Sequence, residues 1–176
     1  IFYVNMVGGQ DELVFDGESL AVDSRGELVG IGKRFEEDLV TVDLDLDSRT
    51  ASSVTPPPYD RNEAIFYALV LGVCDYFRKT GFVKAIIGLS GGIDSSLTAA
   101  IAVEALGREN VVGVYMPSRY SSEHSRRDAE LLAMNLGIRY FVVSIEEIFK
   151  AYEKTLVEAF EGRPPDVTEE NVQARI

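Results

Sequence analysis

The chain has 176 residues, 46% of them apolar, and a formal net charge of −12 at pH 7, enough apolar side chain for one medium domain or parts of two. That acidity disfavours a nucleic-acid partner, whose phosphates need a basic face, and no apolar run is long and uncharged enough for a membrane span or signal peptide. The single cysteine, Cys74, excludes internal disulfides and CxxC metal or redox pairs and suits a reducing, cytoplasmic compartment.

Residues 1–47 read as β-rich. Short apolar runs at Tyr3–Val7, Glu12–Phe15, Ser19–Asp23 and Leu28–Gly32 alternate with turn signals at Gly8-Gly9, Asp16-Gly17 and Ser24–Glu27. Leu39–Leu46 alternates apolar with polar and acidic residues, as a strand with one wet face does; a solvated face explains its acids better than a metal site. A segment this short cannot close a sandwich by itself. With Ile1 opening directly into a strand-like run, it is expected to be the end of a larger β-containing domain.

Residues 48–60 read as a linker, stiffened by Pro56-Pro57-Pro58. Asp60-Arg61-Asn62-Glu63 is a capping-box-like start, and the pattern predicts a helix from there to Gly81. Ile65, Leu69, Val73 and Tyr76 form one stripe, with Phe66, Val70, Cys74 and Phe77 beside it. Cys74 is therefore expected to pack rather than react.

From residue 82 the pattern becomes βαβαβα. Phe82–Ile87 reads as the start of a buried strand reaching residue 89. Further strands are expected at 111–116 and 139–144, with helices near 95–106, 122–136 and 146–160, which is the signature of a parallel sheet with right-handed crossovers. Ligands of such sheets sit beyond the carboxyl ends of the strands. The first strand runs there into Gly88-Leu89-Ser90-Gly91-Gly92-Ile93-Asp94-Ser95-Ser96. Adjacent glycines let a phosphate approach the backbone, the helix N-terminus adds partial positive charge, and Ser90, Ser95 and Ser96 supply hydroxyl donors. A Walker A loop would end in Gly-Lys-Ser/Thr; here the acid Asp94 opens the helix. An aspartate beside bound phosphates calls for a divalent cation between them, so Asp94 is the candidate Mg²⁺ ligand.

The run Ser90-Gly91-Gly92-Ile93-Asp94-Ser95-Ser96 resembles the pyrophosphate loop of the N-type ATP pyrophosphatases. The resemblance implies a fold like the adenine nucleotide alpha hydrolases. It also implies cleavage of ATP between the α- and β-phosphates, with adenylation of a substrate.

Other candidates stand at the same sheet edge. Met116, at the end of the second strand, offers a flat apolar border for an adenine. Ser121 or Ser122 either caps the next helix or joins the site. Arg119 pairs with phosphate or with a surface acid, the acid being the default. His124, the only histidine, has no Ser or Cys partner in a triad motif and is expected near solvent in a first helical turn. Gly162-Arg163-Pro164-Pro165 reads as a flexible break, followed by a last helix capped by Thr168. That helix stops at the chain's end, as in a fragment of a longer protein.

That last segment, Glu170-Asn171-Val172-Gln173-Ala174-Arg175, narrows the resemblance. Together with the loop, with Asp75-Tyr76, and with Tyr3-Val4-Asn5 through Gly8–Gly17, it is similar to the glutamine-dependent NAD synthetases over essentially the whole chain. The resemblance implies that residues 1–47 are the closing part of a nitrilase-like glutaminase domain of α/β sandwich type. Residues 61–176 would then be the opening part of the synthetase domain, a parallel doubly wound α/β sheet. It implies ATP and Mg²⁺ on Gly88–Ser96 with Met116, and deamido-NAD on Asn171, Arg175 and Tyr76. Nitrogen would come from glutamine or ammonia, and the assembly would be at least a dimer. No catalytic residue is assigned in this segment, because the family's glutaminase Cys, Glu and Lys lie upstream of residue 1. GMP synthetases, asparagine synthetases and tRNA-thiolating enzymes share such a loop. Acidity and the absence of paired cysteines weigh against the last, and the β-rich opening against the others. A nucleotide-binding module without turnover is the alternative of a different class, and Asp94 argues against it.

Overall fold

Five short strands open the chain: β1 (Phe2–Tyr3), β2 (Val7–Gln10), β3 (Leu13–Asp16), β4 (Leu20–Val22) and β5 (Leu28–Ile31). A computed structural model describes residues 1–158, 167–173 and 175–176. Its contacts divide the chain into two units, Ile1–Val83 and Lys84–Ile176.

In the first unit β1, β4 and β5 form one antiparallel sheet in the order β1-β4-β5, while β2 and β3 form a separate hairpin. Gly8-Gly9, expected as a turn, lies inside β2, and the hairpin reverses instead at Asp11-Glu12. The glycines serve close approach: a Cβ on Gly9 would stand 3.0 Å from the Cα of Gly72. The helix that approaches is α1 (Arg61–Thr80), which packs on both strands of the hairpin. Leu39–Leu46 is not a strand. Only one isolated bridge, Asp45 to Thr50, touches it, and Leu39 and Leu46 are exposed. Its alternation comes from Val40 and Val42 covering Gly30 of β5 with their side chains, without a hydrogen-bonded partner strand.

The proline segment has no regular structure, as expected. Asp60 caps α1, its side chain accepting from the N–H groups of Asn62 and Glu63, and Gly81 ends the helix at φ 77°. The expected apolar stripe is not a buried one. Asp75 is the only fully buried residue of α1, Ile65, Leu69 and Tyr76 are about half exposed, and Cys74 is exposed rather than packed. The hairpin crosses α1 at Gly72 and Asp75, and Phe66, Val70, Val73 and Phe77 are only partly buried. Asp75 Oδ2 accepts from the Gly9 N–H at 2.8 Å, its other oxygen pairs with Arg78 at 2.8 Å, and Lys79 Nζ donates to the Gly9 carbonyl.

The second unit is the α/β half. Strands β6 (Ala85–Gly88), β7 (Val111–Tyr115) and β8 (Arg139–Val142) run parallel in the order β6-β7-β8. Between and after them come α2 (Ile93–Leu106), α3 (Glu123–Leu136), α4 (Glu146–Leu156) and α5 (Val167–Gln173). Helices α2 and α3 lie on the sheet through Ala99, Ala102, Ala129 and Ala133, against Leu89, Val111, Tyr115 and Ile138. Small side chains at helical spacing bring both helices close to the strands. β6 is an edge strand and is not the buried one expected: Ala85 and Ile87 are half-buried, while Ile86 is exposed. Thr168 is the second residue of α5 rather than its cap. The end of the helix expected at 146–160 and the break at Gly162–Pro165 lie outside the described residues.

Candidate functional site

The carboxyl ends of β6 and β7 and the first turn of α3 border a cleft of about 360 Å³ within the second unit. Gly88, Leu89 and Ser90 form one side of it. Tyr115, Met116, Tyr120, Ser121 and Ser122 form another, with Ser125, Ile145, Gln173 and Ile176 completing the lining.

The glycine–serine loop has the local geometry of an anion cradle. Gly92 is the N-cap of α2, and no side chain caps the helix there. The first N–H groups of the helix therefore have no partner within it. The serines hold the loop from inside. Ser90 and Ser95 share a hydroxyl contact at 3.1 Å, Ser95 Oγ accepts from the Ser90 N–H, and Ser90 Oγ accepts from the Gly92 N–H. Ser95 and Ser96 both donate to the Gly92 carbonyl. Gly91 sits at φ +81°, and a Cβ there would come within 2.4 Å of the Ser125 carbonyl oxygen of α3. Only glycine fits both the dihedral and the space.

Of the expected ATP-contacting residues, Gly88, Leu89, Ser90 and Met116 line the cleft, whereas Gly91, Gly92, Ile93, Asp94, Ser95 and Ser96 are not part of its lining. Leu89 is 2% exposed and its side chain belongs to the core, leaving its backbone for the cleft. The side chain of Ile93 is exposed. Asp94 is an exposed first-turn residue of α2, so its position also complements the helix dipole. Met116 is half-exposed on the wall, and its Cε would stand 3.2 Å from a Cβ on Gly88. A glycine at 88 therefore leaves room for the thioether.

The residues expected around a second substrate fall in two places. Asn171 and Arg175 come together at the end of α5, where Arg175 Nη1 donates to the Asn171 carbonyl at 2.8 Å. Tyr76 stands on α1 in the first unit, exposed, with its ring near Phe77 and Phe82. His124 is exposed in the first turn of α3, as expected. Ser122 is the α3 N-cap, accepting from the Ser125 N–H, while Ser121 accepts from the Ser118 N–H. Both hydroxyls also line the cleft.

Arg119 takes the default it was given. Its Nη2 lies 2.7 Å from Glu146 and 3.2 Å from Glu153. The Arg119 hydrogen bond holds the Glu146 carboxyl below its ordinary range, and the same bond pushes the guanidinium up. On β8, burial raises the Tyr140 phenol.

Among the described residues, no group of three or more His, Cys, Asp or Glu side chains is placed to hold a metal ion. Mg²⁺ is held by one or two carboxylates and substrate phosphates rather than by an all-protein cage, and Asp94 is an exposed carboxylate in the first turn of α2. The sequence did not single out Tyr115, Ser125, Gln173 or Ile176 as lining residues, whereas Tyr120 and Ile145 fall in the loops after the second and third strands, which a parallel sheet places at its ligand edge. Gln173 lies inside the Asn171–Arg175 segment already singled out, so its spacing was a usable signal. Ser125 reaches the loop only through the packing of α3 against Gly91, for which the sequence carries no local mark.

No described helix is long and apolar enough to cross a membrane. A family model described as NAD synthase matches residues 65–176. A glutamine-dependent NAD(+) synthetase of Thermotoga maritima is 50% identical over 99% of this chain and 36% of its own length. One of Synechocystis is 52% identical over the whole chain and 32% of its own length. Among solved structures, a glutamine-dependent NAD⁺ synthetase of Acinetobacter baumannii in complex with adenosine diphosphate matches at a TM-score of 0.94 and 41% identity, over 99% of this chain and 34% of its own. The chain thus spans about a third of the length of the curated relatives it matches.

Proposed function

The chain belongs to the NAD synthase family, and from that premise we propose that the polypeptide carrying it amidates deamido-NAD to NAD. ATP is consumed and AMP and pyrophosphate are released through an acyl-adenylate, with nitrogen from glutamine or ammonia. The observation that carries this reading is the uncapped N-terminus of α2, opening beside a cleft walled by Met116. That the Acinetobacter baumannii relative was solved in complex with adenosine diphosphate supports an adenine nucleotide as a ligand.

In this reading the N–H groups at the start of α2, with Gly88–Gly92, Ser95 and Ser96, hold the phosphates, the departing pyrophosphate among them. Met116 borders the adenine. The nicotinate carboxylate attacks the α-phosphorus, the bond to the β-phosphate oxygen breaks, and ammonia then displaces AMP from the acyl carbon. The loop acts by fixed positive dipoles where pyrophosphate charge develops. Mg²⁺ held by Asp94 would supply charge neutralisation at those phosphates. The family resemblance assigns Asn171 and Arg175 to deamido-NAD by hydrogen bonding and ion pairing and Tyr76 to stacking on its pyridine ring, contacts that cross a subunit interface in the proposed dimer.

Residues 1–47 are read as the closing part of a nitrilase-like glutaminase domain, 48–60 as the linker and 61–176 as synthetase. On this division α1 belongs in sequence to the synthetase while packing on the preceding hairpin. The protein is read as cytoplasmic and as an oligomer, at least a dimer.

The test is pyrophosphate release by a polypeptide of the relatives' length with ATP, Mg²⁺ and ammonia. Release that requires deamido-NAD supports the reading; release indifferent to it points to another ATP pyrophosphatase. Asp94→Ala should lower release at least a hundredfold, on the order of one lost transition-state charge contact, with an unchanged melting temperature. Retained turnover would remove Asp94 from the metal site.

A further inference from the structure

We infer that Arg119 is a positioning residue for the nucleotide: it fastens the 116–122 wall of the cleft to α4 and does not itself reach phosphate. The inference rests on the reading of the cleft as a nucleotide site. The guanidinium is committed on every polar side. Nε and Nη2 donate to Glu146 Oε1 at 3.0 and 2.7 Å, Nη1 donates to Glu153 Oε1 at 3.3 Å, and Nη2 lies 3.2 Å from Glu153 Oε2. The Arg119 backbone N–H adds a bond to Glu146 Oε2 at 3.1 Å. Its flat face lies over Phe149, with Cζ 4.9 Å from the ring centroid, and Phe149 is fully buried.

The residues on either side of Arg119 form the wall. Tyr120, next in sequence, meets the same Phe149 ring edge-on at 5.8 Å and lines the cleft with Met116, Ser121 and Ser122. The Ile145 N–H, at the head of α4, donates to the Pro117 carbonyl at 3.1 Å. The staple therefore spans the segment from Pro117 to Tyr120. A planar fork that bonds on its edge and stacks on its face suits that task, and an ammonium does not. The electrostatics agree. One cation set between two carboxylates leaves a net negative cluster, a poor direct ligand for polyphosphate.

The two roles give opposite signs at Glu146. If Arg119 only positions the wall, Glu146→Ala breaks the staple and weakens nucleotide binding, although it removes a negative charge. If Arg119 reaches phosphate, Glu146→Ala frees the guanidinium and leaves binding unchanged or tighter. The experiment is calorimetric titration of Mg·ATP into a polypeptide of the relatives' length, for wild type, Arg119→Ala, Glu146→Ala and the double variant. Each single change should raise Kd roughly three- to tenfold, the scale of a partly exposed charged network. The double variant should be no weaker than either single, since one staple is broken once. KM for ATP should rise with Kd while kcat at saturating ATP stays within about twofold, a split that loss of the transition-state contacts would not give.

Arg119→Lys and Glu146→Gln carry the same signs should an alanine variant fail to melt cooperatively, with Arg119→Lys recovering only part of the affinity. Unchanged or tighter binding by the Glu146 variants, additive losses in the double variant, or a fall in kcat at constant Kd would each overturn the positioning role. Wild-type protein that binds no ATP would overturn the nucleotide reading and this inference with it. Wild-type binding with an insensitive Glu146 variant overturns this inference alone.

Discussion

Gly91 is held by two constraints that no other residue meets. Its φ of +81° lies in the left-handed region, and the space beside it is filled by the Ser125 backbone of α3. Gly91→Ala should therefore cost about 1–3 kcal/mol from the dihedral alone, and should displace the loop from α3 because backbone cannot yield as a side-chain end can. Thermal melting with nucleotide titration checks this: a lowered melting temperature and lost ATP binding are expected, whereas wild-type affinity would show that the loop does not need its seat on α3. Gly9 works differently. Its φ is unremarkable, and it is small because Gly72 of α1 crosses over it. At that crossing Asp75 is buried and accepts the Gly9 N–H. Asp75→Ala leaves that donor unsatisfied, and a loss of about 1–3 kcal/mol is expected in denaturant unfolding; a loss below measurement would mean that water replaces the carboxylate.

At the scale of elements, the wall between β7 and α3 is joined to α4 by Arg119 and Glu146, and that joint responds to acid. The Arg119 hydrogen bond depresses the folded pKa of Glu146 below its ordinary 4.5, with the nearby Lys150 charge acting in the same direction. A depressed folded pKa contributes stability that is present above 4.5 and is lost as the pH falls through the folded value. Glu146→Gln is thus expected to be less stable than wild type near neutrality, with the difference shrinking below pH 4.5 as wild type loses the same bond. Unfolding midpoints at several pH values decide it, and a difference constant with pH would mean that the ionised carboxylate contributes nothing. The pair is partly exposed, so the effect is modest. The same scale explains which elements were legible. The capped helix α1, the Gly137-terminated α3 and the three parallel strands announced themselves by period and by caps. Leu39–Leu46 misled because an extended segment packing Val40 and Val42 over Gly30 alternates like a strand without being hydrogen-bonded as one.

For the molecule as a whole, the chain divides into two units at Val83 and Lys84, and it spans about a third of its relatives' length. The proposed reaction joins glutamine hydrolysis to adenylation; the site residues proposed at 88–96 and 116 serve the second, and residues 1–47 are read as only the closing part of the domain for the first. The 176-residue segment, incubated with ATP, Mg²⁺, deamido-NAD and glutamine, is expected to form no NAD, while a polypeptide of the relatives' length does. NAD formed from glutamine by the segment alone would overturn that division of labour.

The order of strand, glycine–serine loop and helix, the acid in place of a P-loop lysine, and the Asn171–Arg175 segment are local in the chain. They follow from backbone freedom, donor chemistry and period, so the sequence by itself determined the parallel α/β unit, the glycine–serine loop proposed for phosphate and the resemblance to the NAD synthetases. Other features depend on which surfaces meet across long sequence separations. The seating of Gly91 on Ser125, the locking of Arg119 between Glu146, Glu153 and Phe149, the crossing of Gly9 by Gly72, and the exposure of Cys74 and Ile86 are of this kind. Only the tertiary structure decided those, because packing is a property of paired faces and a one-dimensional pattern specifies each face without its partner.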